Sequence, residues 1–214
     1  MLVLGLNTAF TAMEAAIVRD GEILADARET MARGQDKALP GFVERLLEEA
    51  GVTLADLDRI AVVTGPGSFT GIRIGVAYAR GLSLVTEAPC VGVTSIEAAI
   101  PAGMEDTVLG CIAAQKRPPE QTWWVQGVSG NQGIADTMEV GLDELKAMLT
   151  GFHAPIFMQG GEALGDLADA LDIRPLIPSA VTAALKAPMF DPASHPPAPV
   201  YARDPDAKLP EPKS

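Results

Sequence analysis

The residues of this chain whose types and spacing could do chemistry are concentrated in Gly65-Pro66-Gly67-Ser68-Phe69-Thr70-Gly71-Ile72-Arg73-Ile74-Gly75. An apolar, β-branched run, Ile60 to Thr64, precedes them and reads as a buried strand, and an apolar segment to Val85 follows and reads as a helix. A glycine-rich loop between strand and helix exposes backbone N–H groups at the positive end of a helix, which suits an anion. The familiar motifs nevertheless fail residue by residue. Ile72 follows Gly71 where a P-loop needs lysine, and Gly65, Gly67 and Gly71 are spaced one residue too widely for a dinucleotide fingerprint. Pro66 and Thr70 stand where a serine nucleophile elbow needs glycine. Ser68 has no histidine before His153 to act as its base. No catalytic residue is assigned.

The helix after the loop carries a second pattern. Gly71, Gly75, Ala79 and Ser83 recur every fourth residue and leave one helix face nearly flat, while Ile72, Val76 and Leu82 supply an apolar side for a sheet. A face without bulk admits a neighbour closer than the usual ~8–10 Å between axes. Two readings are open: a helix packed tightly inside its own domain, or a docking face for a second protein.

The string Gly65 to Gly75, together with Leu2-Val3-Leu4-Gly5-Leu6-Asn7-Thr8-Ala9 and Pro199-Val200-Tyr201-Ala202-Arg203, resembles the bacterial TsaB (YeaZ) family of tRNA threonylcarbamoyladenosine biosynthesis proteins, within the TsaD/glycoprotease-like superfamily. The similarity is strong over the first hundred or so residues and thin afterwards, apart from the tail. It implies a non-catalytic subunit that binds and activates a TsaD-type threonylcarbamoyltransferase, which modifies the adenosine next to the tRNA anticodon. It also implies a docking surface on two helices, with Leu39, Val43 and Leu46 on the first and Gly71, Gly75, Ala79 and Ser83 on the second. Gly65, Gly67, Ser68, Thr70 and Arg73 would border the seam, where Arg73 meets an acidic group, a nucleotide phosphate or an intramolecular partner. A TsaE-type ATPase as a further partner, a homodimer when the partner is missing, and ATP or ADP at the partner interface complete what the resemblance implies.

Composition bounds these expectations. The 214 residues are 48% hydrophobic and 21% charged, as in a globular protein with a sizeable core. No segment approaches the ~20 apolar residues that span a bilayer, and the N-terminus lacks the basic start of a signal peptide, so a cytoplasmic location is expected. A formal charge of -12 argues against a chain that grips nucleic acid by itself, so tRNA contact is expected only indirectly. Cys90 and Cys111 sit in apolar runs without a Cys-x-x-Cys spacing and read as buried core thiols.

In chain order, Leu2 to Asn7, Glu14 to Arg19 and Glu22 to Arg28 read as strands, the last two joined by the tight-turn pair Asp20-Gly21. Asp36 is expected to cap a helix that runs to Ala50 with Gly51 as its stop and Pro40 in its first turn. A helical turn at Thr53 to Leu57 and a strand at Arg59 to Thr64 lead into the loop; Cys90 to Val93 is a strand and a short helix starts at Ser95. The order then returns, with strands at Thr107 to Ala113, Thr122 to Val128 and Ile134 to Val140, a helix at Leu142 to Leu149, a strand at Pro155 to Met158 and a helix at Glu162 to Leu171. Two β-β-β-α-β-α halves are the layout of a duplicated actin-like or ribonuclease-H-like α/β fold. The expected organisation is an N-terminal domain over 1–100, a smaller one over 101–187, and a proline-rich tail over 188–214 anchored by Tyr201.

Two enzyme classes stand as alternatives. A stand-alone actin-like ATPase or a nuclease holds a hard metal with carboxylates at strand ends, but the first strand ends in Asn7 where the family commonly has aspartate, and Glu14 is expected to be exposed. A metallopeptidase, as in the TsaD-type relatives with His-x-x-x-His on an early helix, would need histidines between Met31 and Phe42, where there are none. His153 and His195 lie apart and read as surface residues, and Gly160-Gly161 reads as a turn into a helix. No metal site and no cofactor bound by this chain alone are expected.

Overall fold

The computed structural model describes residues 1–31, 33–114 and 121–200. The first half runs β1 Leu2–Asn7, β2 Ala12–Arg19, β3 Glu22–Thr30, α1 Gln35–Ala50, β4 Arg59–Val63, α2 Phe69–Thr86 and β5 Cys90–Val93. The second runs β6 Thr107–Ala113, β7 Thr122–Ser129, β8 Gln132–Gly133, β9 Met138–Gly141, α3 Leu142–Leu149, β10 Ile156–Met158, β11 Ile173–Pro175 and α4 Ala180–Lys186. One sheet has the order β3-β2-β1-β4-β5 and the other β11-β10-β6-β7-β8, with β9 also paired to β7. If β8 and β9 are taken as one interrupted strand, both sheets place their strands as third, second, first, fourth, fifth. In both, the first strand is antiparallel to the second and parallel to the fourth. The duplicated actin-like architecture expected from the sequence is therefore present in topology as well as in element order.

Local chemistry explains most boundaries. Asp20 and Gly21 both take positive φ, as a two-residue hairpin requires, and join β2 to β3. Ser68 caps α2 by accepting a hydrogen bond from the Gly71 N–H at 3.3 Å. Gly51, at φ 66, ends α1 with its N–H on the Glu48 and Leu47 carbonyls. The start of α1 differs from expectation: left-handed Gly34 precedes it with no side-chain cap, so Asp36 lies inside the first turn rather than capping it. Pro40 consequently sits beyond the first turn, where its missing N–H removes one intrahelical bond.

In the second half, the expected strand Ile134 to Val140 is broken after Ile134, whose N–H still donates to the Gly127 carbonyl, and the Gln126 side chain takes the next carbonyl, that of Ala135. The segment expected to be helical over Glu162 to Leu171 is 3-10 in character and interrupted at Gly165, whose φ of 60° and ψ of -137° no helix accommodates. The short helix from Ser95 is a 3-10 turn over Glu97–Ala99.

Strand β11 and helix α4 have no counterpart in the sequence-based expectation. Helix α4 falls within 101–187 but packs on β1, β2 and β4 of the first sheet, opposite α1 and α2. Gly5 permits this, since a Cβ there would run into the Ala180 carbonyl oxygen. The chain after α4 stays on the first lobe: Arg59 Nη1 donates to the Ala187 and Phe190 carbonyls at 2.7 Å each. Beyond it, the Gly92 N–H donates to His195 O and the Val200 N–H to Thr64 O, which holds this part of the tail. Tyr201 and the prolines beyond it lie outside the described residues.

The first core combines both faces of its sheet with α1, α2 and α4. The second sheet alternates as pleating demands: Leu109 and Cys111 face α3, while Val108 and Ile112 face Ile96 and Ile100 of the connecting segment. Both cysteines are buried free thiols, and burial pushes each up to about 12.

Candidate functional site

Two features are candidates, a cleft between the lobes and the outer face of α1 and α2. The cleft, about 820 Å³, lies where the ends of β1, β6 and β10 approach the loop before α2, and Phe10, Ser68, Thr70, Ala113, Trp124 and Gln159 are among its walls. A hard cation there would need anionic oxygens. Asn7 is buried, and its amide is directed elsewhere: Nδ2 donates to Glu14 Oε2 at 3.1 Å and to the Pro178 carbonyl at 3.2 Å, while Oδ1 accepts the Ala9 N–H at 3.1 Å.

Glu14, expected to be exposed, has a side chain only 13% exposed, because α4 covers it. Its carboxylate accepts the Ala180 N–H at 3.3 Å and lies 3.5 Å from Arg28 Nε. The residues present at this strand end therefore do not fit a metal. Among the described residues no group of three or more His, Cys, Asp or Glu is arranged to hold one. His195 stacks on Phe190 with ring centroids 4.2 Å apart, and His153 is exposed.

The glycine-rich loop is largely occupied by the fold itself. The Ser68 N–H donates to the Ala9 carbonyl at 2.7 Å, and the Gly65 carbonyl accepts the Ser95 N–H at 2.7 Å. The Ser68 hydroxyl serves as the helix cap. A Cβ at Gly67 would collide with the Ala9 carbonyl, and one at Gly71 with the Thr8 carbonyl. The glycines thus let the loop and the first turn of α2 press onto the β1–β2 turn. Thr8 locks this contact by donating from Oγ1 to the Gly71 carbonyl at 2.7 Å.

The small-residue face of α2 is resolved in the same way. Gly71, Gly75 and Ala79 are buried, and a Cβ at Gly75 would meet Thr8 Oγ1. Leu39, Val43 and Leu46 are buried core residues of α1, and Ser83 donates to the Ala88 carbonyl at 2.7 Å. These residues therefore pack within the chain, and the expectation that they form an open docking surface is corrected: the helix turns its flat side toward its own sheet because only that side can approach Thr8 and Val62 closely.

A different stripe faces outward. Phe69, Arg73, Ala77, Gly81 and Val85 also recur every fourth residue and are all exposed, with Arg80 and Leu84 beside them. Phe69, Leu84 and Val85 are 52%, 85% and 80% exposed, and the Arg73 guanidinium lies 3.7 Å over the Phe69 ring. On α1 the exposed positions Asp36, Pro40, Glu44 and Glu48 have the same spacing and are mostly acidic. Asp36 and Leu39 of α1 meet Phe69, Arg73 and Tyr78 of α2 along a groove between the helices. The outward stripe was legible as a second four-residue series, but periodicity alone does not say which of two series faces the core. No helix among the described residues is long and apolar enough to cross a membrane.

Residues 27–117, which contain α1, the loop and α2, match the family of TsaD, tRNA N6-adenosine threonylcarbamoyltransferase. The chain is 36% identical over 96 residues to the tRNA threonylcarbamoyladenosine biosynthesis protein TsaB of Escherichia coli, covering 45% of this chain and 41% of that protein. It is 44% identical over 72 residues to the tRNA N6-adenosine threonylcarbamoyltransferase of Gluconobacter oxydans, covering 34% of this chain and 20% of that protein. The chain thus matches less than half the length of these curated relatives. A solved Pseudomonas aeruginosa protein, described as uncharacterized with similarity to peptidase YEAZ, superposes with a TM-score of 0.68 at 25% identity. That superposition covers 94% of this chain and 99% of the other.

Proposed function

From the premise that the chain belongs to the TsaB (YeaZ) family within the TsaD-like superfamily, we propose that it is a non-catalytic subunit in the formation of N6-threonylcarbamoyladenosine on tRNA. It docks a TsaD-type transferase through the outer faces of α1 and α2. The observation that carries this reading is the exposed stripe of α2: large apolar side chains at Phe69, Leu84 and Val85 flank the small residues Ala77 and Gly81, leaving an apolar, low-relief surface. The stripe lies inside the segment that resembles TsaD itself. A partner with the same helix pair can meet it about a pseudo-twofold axis, with the acidic edge of α1 opposite basic residues like Arg73 and Arg80. The same self-complementarity lets two copies of this chain pair when the partner is absent.

Activation is then a matter of differential contact: docking favours the transferase conformation that presents this matching surface, and the subunit contributes no reacting group. The inward-turned Asn7 and Glu14 support a silent cleft. The net charge of -12 supports leaving the grip on tRNA to other subunits. A TsaE-type ATPase as a third component, and ATP or ADP near Arg73 at the seam, belong to the same proposal.

Mixing the purified chain with a TsaD-type protein and measuring the mass of the product by light scattering tests it. A stable heterocomplex, with transferase activity that depends on this chain, is the expected result. Two proteins eluting separately under conditions where the transferase is active alone would overturn it. ATP hydrolysis or metal-dependent peptide cleavage by the chain alone would favour one of the enzyme alternatives.

A further inference from the structure

The chain passes between the lobes twice, at 94–106 after β5 and at 176–179 before α4. Buried Glu97 lies in the first passage, and buried Lys186 lies beyond the second, at the end of α4. In the first, Thr94 and Glu97 form a reciprocal cap: the Thr94 N–H donates to Glu97 Oε2 at 2.8 Å, and the Glu97 N–H donates to Thr94 Oγ1 at 3.1 Å. The second carboxylate oxygen, Oε1, reaches into the other lobe and accepts the Gly133 N–H at 2.7 Å. Thr94 Oγ1 in turn donates to Gln126 Oε1 of β7 at 2.8 Å, and Gln126 Nε2 donates to the Ala135 carbonyl at 3.1 Å. One carboxylate, 3% exposed, therefore divides its two oxygens between the connecting segment and the second sheet.

The other passage is tied to the same point. Lys186, at the end of α4 and fully buried, donates from Nζ to the Glu97 carbonyl at 2.8 Å. The Ser179 N–H donates to the Ala98 carbonyl at 3.0 Å, and the start of α4 is held to the first sheet through Asn7 and Glu14.

We infer that Glu97 and Lys186 form a clamp that fixes the angle between the two lobes, so that the cleft between them does not open and close. Two-lobed proteins hinge where a few connecting residues absorb changes in φ and ψ. Here the two passages are joined by the Ser179 N–H to Ala98 carbonyl bond, and charged groups removed from water tie the first passage to the second sheet, through Glu97 on Gly133, and to α4, through Lys186 on the Glu97 carbonyl. Rotation would leave a buried carboxylate or ammonium without its partners, a far greater cost than losing a surface pair. This inference stands on the lobe connections alone and does not depend on which protein docks at α2.

Interlobe distance measurement tests it. Spin labels on Ile23→Cys in β3 and Met148→Cys in α3, exposed positions on different lobes, report the angle, while buried Cys90 and Cys111 stay unlabelled. The parent should give one narrow distance that added Mg-ATP leaves unchanged. In Glu97→Gln, an amide NH2 replaces an acceptor facing backbone N–H donors. In Lys186→Met, the ammonium is lost but the stem is kept. Both should broaden the distribution or add a second distance while melting remains cooperative. The Gly133 amide should exchange at least tenfold faster with hardly any change along β7. A broad or two-peaked distance in the parent overturns the clamp, whatever the variants do. A folded Lys186→Met protein with the parent's narrow distance overturns it as well.

Discussion

Asn7 fits its position better than an aspartate would. Its amide donates to two acceptors, the Glu14 carboxylate and the Pro178 carbonyl, and an ionised aspartate would face both with oxygen. Asn7→Asp should therefore lower stability by about 1–3 kcal/mol in urea unfolding without creating a magnesium site detectable by calorimetry. Unchanged stability, or measurable magnesium binding, would contradict that assignment. Gly75→Val should likewise weaken the fold itself, by about 1–3 kcal/mol, because its side chain meets Thr8 Oγ1 rather than a partner. A variant with parental stability and weaker assembly would return Gly75 to the docking surface.

Lys186 makes a prediction about pH. Burial pushes its ammonium down to about 8 from 10.5, with the nearby Glu97 charge opposing the shift. Below about 8 the residue is charged in both states and its cost is fully present. Between about 8 and 10.5 the unfolded chain holds the proton and the folded one does not, so stability rises with pH. Relative to Lys186→Met, the parent should gain up to roughly 3 kcal/mol across that window. Parallel stability curves for the two proteins would rule this out.

At the scale of elements, α2 separates its two four-residue series by what each meets. One lies against Thr8 and Val62, the other against solvent. Substituting Leu84 and Val85 together by Glu should leave the melting temperature within a few degrees, because both side chains are exposed, and should abolish co-purification with a TsaD-type partner. Retained co-purification would remove α2 from the docking surface. The sequence made both series visible, and hydrophobicity did not distinguish them, since the buried one is built of glycine and alanine. The strand at 134–140 was misjudged for a related reason: its alternation is real, but the Gln126 side chain of β7 takes the Ala135 carbonyl.

At the scale of the whole molecule, α4 is the element that joins the halves. Ala183 and Ala184 belong to the first core although they follow the second sheet in sequence. A chain ending at Pro175 should therefore lose the cooperative unfolding of the first lobe, read by circular dichroism and by amide dispersion in NMR. A truncated protein that melts like the parent would show that α4 only rests on the sheet.

The sequence by itself determined the repeated element order, the hairpin at Asp20-Gly21, the strand-loop-helix unit from Ile60 to Val85 and the buried thiols, because each depends on local conformational preference or on burial within a short window. It also carried the family resemblance through the spacing of Gly65 to Gly75. Only the tertiary structure decided which face of α2 is outward, that Glu14 is covered and that two distant charged residues meet between the lobes. Those outcomes depend on contacts between segments far apart in the chain, and α4, short and alanine-rich, has little periodicity to announce where it packs.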